Sequence, residues 1–204
     1  ALAQAMGRAT GRETSALDEL RQLLNLPKTP EYIESYDISN LAGGENVAGM
    51  IVFENGRPLK NAYRKFKIAC AANGQDDYAS MREMLTRRVQ RYVDGDEKFA
   101  PLPSAFLIDG GLGHVRVCKE VLDSFGLQTP CFGMVKDDKH RTRALVAPDG
   151  REFGISATPA LFALIGRIQE EVHRFAIEYN RKLGGKKVRG STLDKIAGVG
   201  DKRR

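Results

Sequence analysis

The chain has 204 residues, a hydrophobic fraction of 42% and a formal net charge of +6. That length allows one full domain and part of a second, and no apolar run reaches the roughly 20 residues that a membrane span needs. We expect no signal peptide, because the N-terminus lacks a charged segment followed by an apolar one. The three cysteines are odd in number and form no CxxC pair, which disfavours a disulfide framework and fits a reduced cytoplasm. The excess of Lys and Arg favours a polyanionic partner, since each neutralised phosphate releases bound counterions.

The predicted elements begin with a short helix over residues 15–26, in which leucines recur at helical spacing. Pro27 and Pro30 are expected to end it and to form a linker. Three runs with strand character follow: Tyr32–Ile38, Val47–Phe53 and Tyr63–Ile68. Asn55-Gly56 between the last two runs is typical of a hairpin turn. These runs predict an antiparallel meander.

The second half of the chain alternates helices and strands. Asp76 or Asp77 can cap a helix that extends to about Tyr92. The elements after it are predicted in this order: a strand over Phe106–Ile108, a helix over Val115–Phe125, a strand over Cys131–Val135, a hairpin over residues 144–155 and a helix over Pro159–Leu183. Gly184-Gly185 is predicted to end the last helix. This order predicts an α/β fold with a mixed sheet covered by helices.

Two carboxylates occupy unusual positions. Asp37 lies inside the first predicted strand, and Asp109 ends the buried run Phe106–Ile108. Charged residues are rare in such places unless they are paired or bind a metal. If the two strands are neighbours, the carboxylates converge at one edge of the sheet, where they suit Mg²⁺ or Mn²⁺. An alternative for Asp109 is a turn that its side chain forms with Gly110-Gly111.

Five segments, in this order along the chain, together resemble the C-terminal nuclease region of the UvrC family of excision-nuclease subunits: Tyr36–Asn40, Asp76–Glu83, Leu107–Gly111, Lys136–Thr142 and Glu171–Ala176. The similarity runs from about Leu17 to the C-terminus. The resemblance implies an RNase H-like fold with a mixed five-stranded sheet. It also implies that Asp37, Asp109 and His173 form a catalytic set that binds Mg²⁺ or Mn²⁺.

The resemblance further implies the function and the partners. In the family, this region makes the incision on the 5′ side of a lesion in double-stranded DNA during nucleotide excision repair. The partner is the helicase subunit of the excision nuclease, whose binding segment lies upstream and is expected outside this chain. One departure is Leu112, where the family often has Lys. The alternatives are a catalytically silent RNase H-like DNA-binding scaffold and a nuclease of the transposase or resolvase type.

Helical periodicity does not by itself select His173. At about 100° per residue, His173 lies roughly 120° from the centre of the apolar stripe of its helix. Glu171 lies nearer the edge of that stripe and would serve equally well as a ligand by position. Only the resemblance favours the histidine over the glutamate.

Two further segments point to DNA. Lys136 and Arg141, in the polar segment Lys136–Thr142, are candidate donors to phosphates, and the alternative is a solvated turn. Leu193–Gly200 resembles the start of a helix-hairpin-helix motif, in which the backbone N–H groups of Gly198 and Gly200 would face a phosphate.

The predicted organisation has three parts. Residues 1–30 form an N-terminal helix and linker, residues 31–185 form the nuclease domain, and residues 186–204 form a basic linker with a partial helix-hairpin-helix. Because that motif is cut short, we expect the chain to bind DNA weakly.

Overall fold

The computed structural model describes residues 2–40, 46–69 and 76–193. The helices are α1 Leu2–Leu23, α2 Asp77–Val93, α3 Leu112–Ser124 and α4 Pro159–Leu193. The strands are β1 Tyr32–Asn40, β2 Asn46–Glu54, β3 Arg57–Pro58, β4 Arg64–Ile68, β5 Ala105–Ile108, β6 Cys131–Lys136, β7 Thr142–Val146 and β8 Glu152–Gly154. None of these helices is both long and apolar enough to cross a membrane.

The strands form one mixed sheet in the order β3-β2-β1-β5-β6-β7-β8, with β4 paired to β2 as well. The pairs β1–β5 and β5–β6 are parallel, and the others are antiparallel. The predicted mixed α/β sheet and the meander are therefore confirmed. The expectation of five strands was wrong, because the β3 and β4 strands and the β7–β8 hairpin extend the central ladder at both sides.

Helices cover both faces of the sheet, as the parallel pairing of its central strands requires. One face packs against α2 and α3, and its core includes Tyr36 and Ile108. The other face packs against α1 and α4, and its core includes Ile33 and Leu107. Successive residues along β5 therefore point into opposite cores, as do those along β1. Both faces of β5 are buried in this way, which explains its continuous apolar run.

A buried ion pair links α2 to the sheet close to the predicted site. Arg88 of α2 donates from Nε and Nη2 to the two carboxylate oxygens of Glu34 on β1, at 2.8 and 2.5 Å. The hydroxyl of Tyr36 donates to the same carboxylate. Glu34 and Arg88 are almost fully buried, and burial raises the pKa of Tyr36 well above its ordinary value. Periodicity gave no sign of this network, since both charged residues occupy core positions.

The bounds of the helices differ from the prediction most clearly at the start of α1 and at the end of α4. Helix α1 begins at Leu2 rather than near residue 15, and α4 continues through Gly184-Gly185 to Leu193. Glycine lowers helix stability by about 1 kcal/mol but does not forbid helical backbone angles, so the predicted end at Leu183 was wrong. Asp76 caps α2 by accepting from the backbone N–H of Ala79 at 2.9 Å. Gly198 and Gly200 lie outside the described residues.

Candidate active site

Two neighbouring parallel strands bring the two predicted carboxylates together. Tyr36 on β1 is paired with Ile108 on β5. The next residue after Tyr36 is Asp37, still within β1, and the next after Ile108 is Asp109, directly beyond the end of β5. The backbone N–H of Asp109 donates to the carbonyl of Tyr36 at 2.8 Å. Neighbouring strands lie about 4.8 Å apart. The convergence that the sequence predicted, on the condition that the strands are adjacent, is therefore observed.

Helix α4 supplies the third predicted residue. Nδ1 of His173 lies 3.0 Å from Oδ2 of Asp37. The helix can approach this closely because Gly49, the partner of Asp37 on β2, has no side chain. A Cβ at Gly49 would lie 3.0 Å from Cδ1 of Phe175 and 3.3 Å from Cα of Ala176, which is tighter than ordinary packing allows.

Ligand atoms of Asp37, Asp109 and His173 all lie within 4.8 Å of one another. Within the described part of the chain, no other group of three or more His, Cys, Asp or Glu residues has this arrangement. Glu171 instead accepts from the hydroxyl of Tyr63 at 3.1 Å and from Arg174. Of the two helical residues that the sequence left open, the structure places His173 at the carboxylates.

The electrostatics of the carboxylate pair favour a bound cation. Burial, followed by the negative charge of Asp109, raises the pKa of Asp37 to about 7, while His173 and Lys136 oppose the rise. The side chain of Asp109 is 2% exposed. Neither of its oxygens accepts a well-aligned hydrogen bond from the described residues. Buried polar atoms rarely lack a partner, and a hard cation would supply one.

Lys136 lies inside the site. Its Nζ is 2.8 Å from Oδ1 of Asp109. The register between β6 and β7 shifts between Val135 and Lys136, and such a bulge redirects the side chain that follows it. Leu112, where the family often has Lys, packs against the core under α2 and α3.

The turn between β6 and β7 is held rigidly. The side chain of Asp137 accepts from the backbone N–H groups of Lys139 and Arg141, both at 2.9 Å. The guanidinium of Arg141 is paired with the same carboxylate at 3.0 Å. His140 has a φ of 60°, a conformation that is uncommon for residues other than glycine. Lys139 makes no ion pair with any described residue, so its charge is available to an anion. The sequence analysis had not selected this residue.

A groove of about 670 Å³ runs between this turn and α4. Lys136, Lys139 and Arg141 line one wall, and Phe162 and His173 lie on the other. The groove therefore reaches the carboxylates at His173 and carries positive charge along its outer wall. A polyanionic strand in this groove would pass beside the carboxylates, which are in contact with the lining residues His173 and Lys136.

The fold also occurs in a solved nuclease. The crystal structure of human ENDOV superimposes with a TM-score of 0.50 at 12% sequence identity, covering 79% of this chain and 90% of that chain. At that identity the similarity concerns the fold alone. The order of the strands and the helices on both faces of the sheet define the class as an RNase H-like α/β domain, with a pair of carboxylates at its central strands.

The particular family follows from sequence. Residues 21–177 match the UvrC RNAse H endonuclease domain, and the chain belongs to this family. UvrABC system protein C from Acetivibrio thermocellus is 47% identical over 203 residues, and that from Finegoldia magna is 48% identical over 200 residues. These matches cover 92% and 97% of this chain but 32% of each relative. The chain thus spans about a third of the length of these relatives.

Proposed function

We propose that the domain is a divalent-metal-dependent DNA endonuclease that makes the 5′ incision beside a lesion during nucleotide excision repair. The observation that carries this proposal is the convergence of Asp37, Asp109 and His173 within 4.8 Å. The repair context is supported by the relatives, which are named UvrABC system protein C. Damaged double-stranded DNA would be the substrate, and the helicase subunit of the same excision nuclease would be the partner.

The residues of the site fit Mg²⁺ or Mn²⁺. Such ions prefer oxygen ligands at about 2.0–2.1 Å, so two ligand atoms of one ion lie at most about 4 Å apart, and the ligand atoms here lie within 4.8 Å of one another. Asp37 and Asp109 would hold the ion between β1 and β5, and it would give the carboxylate of Asp109, which accepts no well-aligned hydrogen bond from the described residues, a second cation besides Lys136. When bound, the ion makes a coordinated water more acidic and neutralises charge on the phosphate.

The chain's own groups complete the chemistry. The side chain of His173 is 52% exposed while its Nδ1 is held by Asp37, so the ring can exchange a proton at the edge of the site or act as a weak ligand. Mn²⁺ accepts nitrogen more readily than Mg²⁺ does. Lys136 places a positive charge beside Asp109, where it can partly balance the carboxylate pair and contact the scissile phosphate.

Contacts to the DNA backbone would come from the turn between β6 and β7. Lys139 and Arg141 line the groove, and Lys139 is better placed to bind a phosphate because Arg141 is already paired with Asp137. The backbone N–H groups of Gly198 and Gly200 are proposed to bind a second phosphate. A catalytically silent scaffold is disfavoured, because it would gain nothing from two adjacent buried carboxylates.

The test compares four variants in the complete repair protein with its partners. Asp37→Asn, Asp109→Asn and His173→Ala should each remove single-turnover 5′ nicking, whereas Glu171→Gln is the matched control and should retain it. The two Asp variants should also lose Mn²⁺ binding measured by calorimetry. Strong nicking by either Asp variant, or loss of nicking in the Glu171 variant alone, would refute the assignment.

A further inference from the structure

The groove contains an open space that packing does not explain. Gly166 lies in the interior of α4, where glycine is less stable than alanine. A Cβ built at Gly166 would have no heavy atom within 4 Å, so no neighbouring group requires a glycine here. Phe162 lies one turn before it and Gln169 about one turn after it, on the same stripe of the helix. The glycine therefore leaves room between an aromatic ring and an amide.

Two polar side chains that line this groove have no partner. Gln169 is 8% exposed, and its amide makes no hydrogen bond with any described residue. Thr142, on the facing strand, is 2% exposed, and its hydroxyl also lacks a partner in the described part of the chain. Buried polar atoms of this kind are usually satisfied. The hydroxyl of Thr142 is too deeply buried for a ligand in the groove to reach it, whereas the amide of Gln169 lines the groove and is available to hydrogen-bond to a polar ligand there.

Phe162 adds an apolar surface to the same space. Its ring packs partly against the core under α4 and also lines the groove. No described aromatic side chain pairs with it. Lys139 stands on the opposite wall. A wall of cations with an aromatic ring facing it is the arrangement by which proteins hold single-stranded nucleic acid, with the phosphates on the cations and a base on the ring.

We propose that Phe162, Gly166 and Gln169 form a subsite for one unstacked nucleobase of the strand that is cut. This inference rests on the proposed endonuclease function and specifies the form of its substrate. The ring of Phe162 contacts the face of the base, and the amide of Gln169 hydrogen-bonds to its edge. Gln169 precedes His173 by four residues, about 6 Å along the helix, so the base belongs to a nucleotide within one or two of the scissile phosphate.

The subsite predicts that the strand must unstack beside the cut. A mismatched, damaged or single-stranded nucleotide unstacks at lower cost than a paired one. The domain should therefore prefer distorted DNA through its own groove, in addition to any preference that its partners supply.

The experiment measures binding of 12-nucleotide single-stranded DNA that contains one abasic position, which is moved along the strand. The 204-residue chain carries Asp109→Asn so that no cutting occurs, and fluorescence anisotropy gives the affinity. In this parent, one abasic position near the site should weaken binding about 5- to 150-fold more than the others, which corresponds to one base stacked on an aromatic ring.

Gly166→Leu is the decisive variant, because it fills the open space with a good helix former and should not lower the melting temperature. This variant should bind intact DNA more weakly than the parent does. Its affinity should not fall further when the abasic position is placed where it weakens binding by the parent. Ala163→Leu, which adds similar bulk on an exposed position of the same helix outside this groove, is the matched control and should stay close to the parent. Gln169→Leu should keep the abasic effect but lose discrimination among the four bases at that position.

A flat abasic profile in the parent, identical profiles for the parent and Gly166→Leu, or no binding of any oligonucleotide would each overturn the subsite. These results are distinct from failure of the proposed function, which is read from Mn²⁺ binding and from nicking by the complete repair protein. Nicking that depends on Asp37 together with a flat profile would reject the subsite alone.

Discussion

The metal-free domain should become less stable as the pH rises from about 4 to 7. Burial and the charge of Asp109 raise the pKa of Asp37 from 3.8 to about 7 in the folded protein, whereas the unfolded chain has the ordinary value. The folded state therefore binds a proton that the unfolded state releases over this range. The contribution of this proton to the free energy of unfolding is fully present below about pH 4 and is lost as the pH approaches 7. The change is on the order of a few kcal/mol.

A divalent ion should reverse this trend, since it competes with the proton for the same carboxylates. Urea unfolding between pH 5 and 8, in EDTA and in Mn²⁺, measures both effects, with Asp37→Asn as the reference for every other titrating group. In EDTA, the Asn variant should gain stability relative to the natural chain as the pH rises. In Mn²⁺, the free energy of unfolding of the natural chain should rise with pH, whereas that of the Asn variant should rise little. A pH-independent difference in EDTA, or one of opposite sign, would refute the reasoning.

Three further outcomes are expected. Gly49→Val should destabilise the domain by about 1–3 kcal/mol and weaken Mn²⁺ binding, because its side chain would push α4 from the sheet; calorimetry with unchanged affinity would contradict this. Arg88→Leu should cost about 3–5 kcal/mol in urea unfolding, because it leaves Glu34 buried and unpaired; adding Glu34→Leu should recover part of the loss, and a further equal loss would count against it. Lys139→Gln should reduce the salt dependence of DNA binding by about one ion, whereas Lys28→Gln, beyond the opposite end of β1, should not; equal slopes would exclude Lys139 as a phosphate contact.

The sequence predicted most of the architecture because strands buried on both faces and amphipathic helices have distinct apolar patterns. The run Phe106–Ile108 was correctly predicted as a central strand on that ground. The length of α4 was not predicted, since Gly184-Gly185 disfavours a helix without forbidding one. The wrong count of five strands came from the resemblance. The apolar pattern itself missed only Arg57–Pro58, because a two-residue strand carries no periodic signal and is defined only by its pairing.

The two acids of the candidate site could be found from sequence because a charge is unusual at each position. Lys139 and Gln169 could not be found in this way. Lys139 and Arg141 are both cations of the same turn, but only Arg141 has an acidic partner. Which of the two is paired depends on the conformation of the turn. Gln169 lies beside the apolar stripe of α4, where a glutamine at the boundary of a helix face is ordinary. Its significance comes from its place in the groove beside Phe162, which only the folded structure shows.

The choice between His173 and Glu171 shows what decides a site when periodicity does not. Both residues flank the buried stripe of α4, on opposite sides, so the side that meets the carboxylates depends on where the helix crosses the sheet. Close contact at Gly49 fixes that crossing, because Phe175 and Ala176 pack directly on the backbone next to Asp37. With the helix in that position, Glu171 falls beside Tyr63 and His173 beside Asp37. The glycine on β2 therefore selects the histidine on α4.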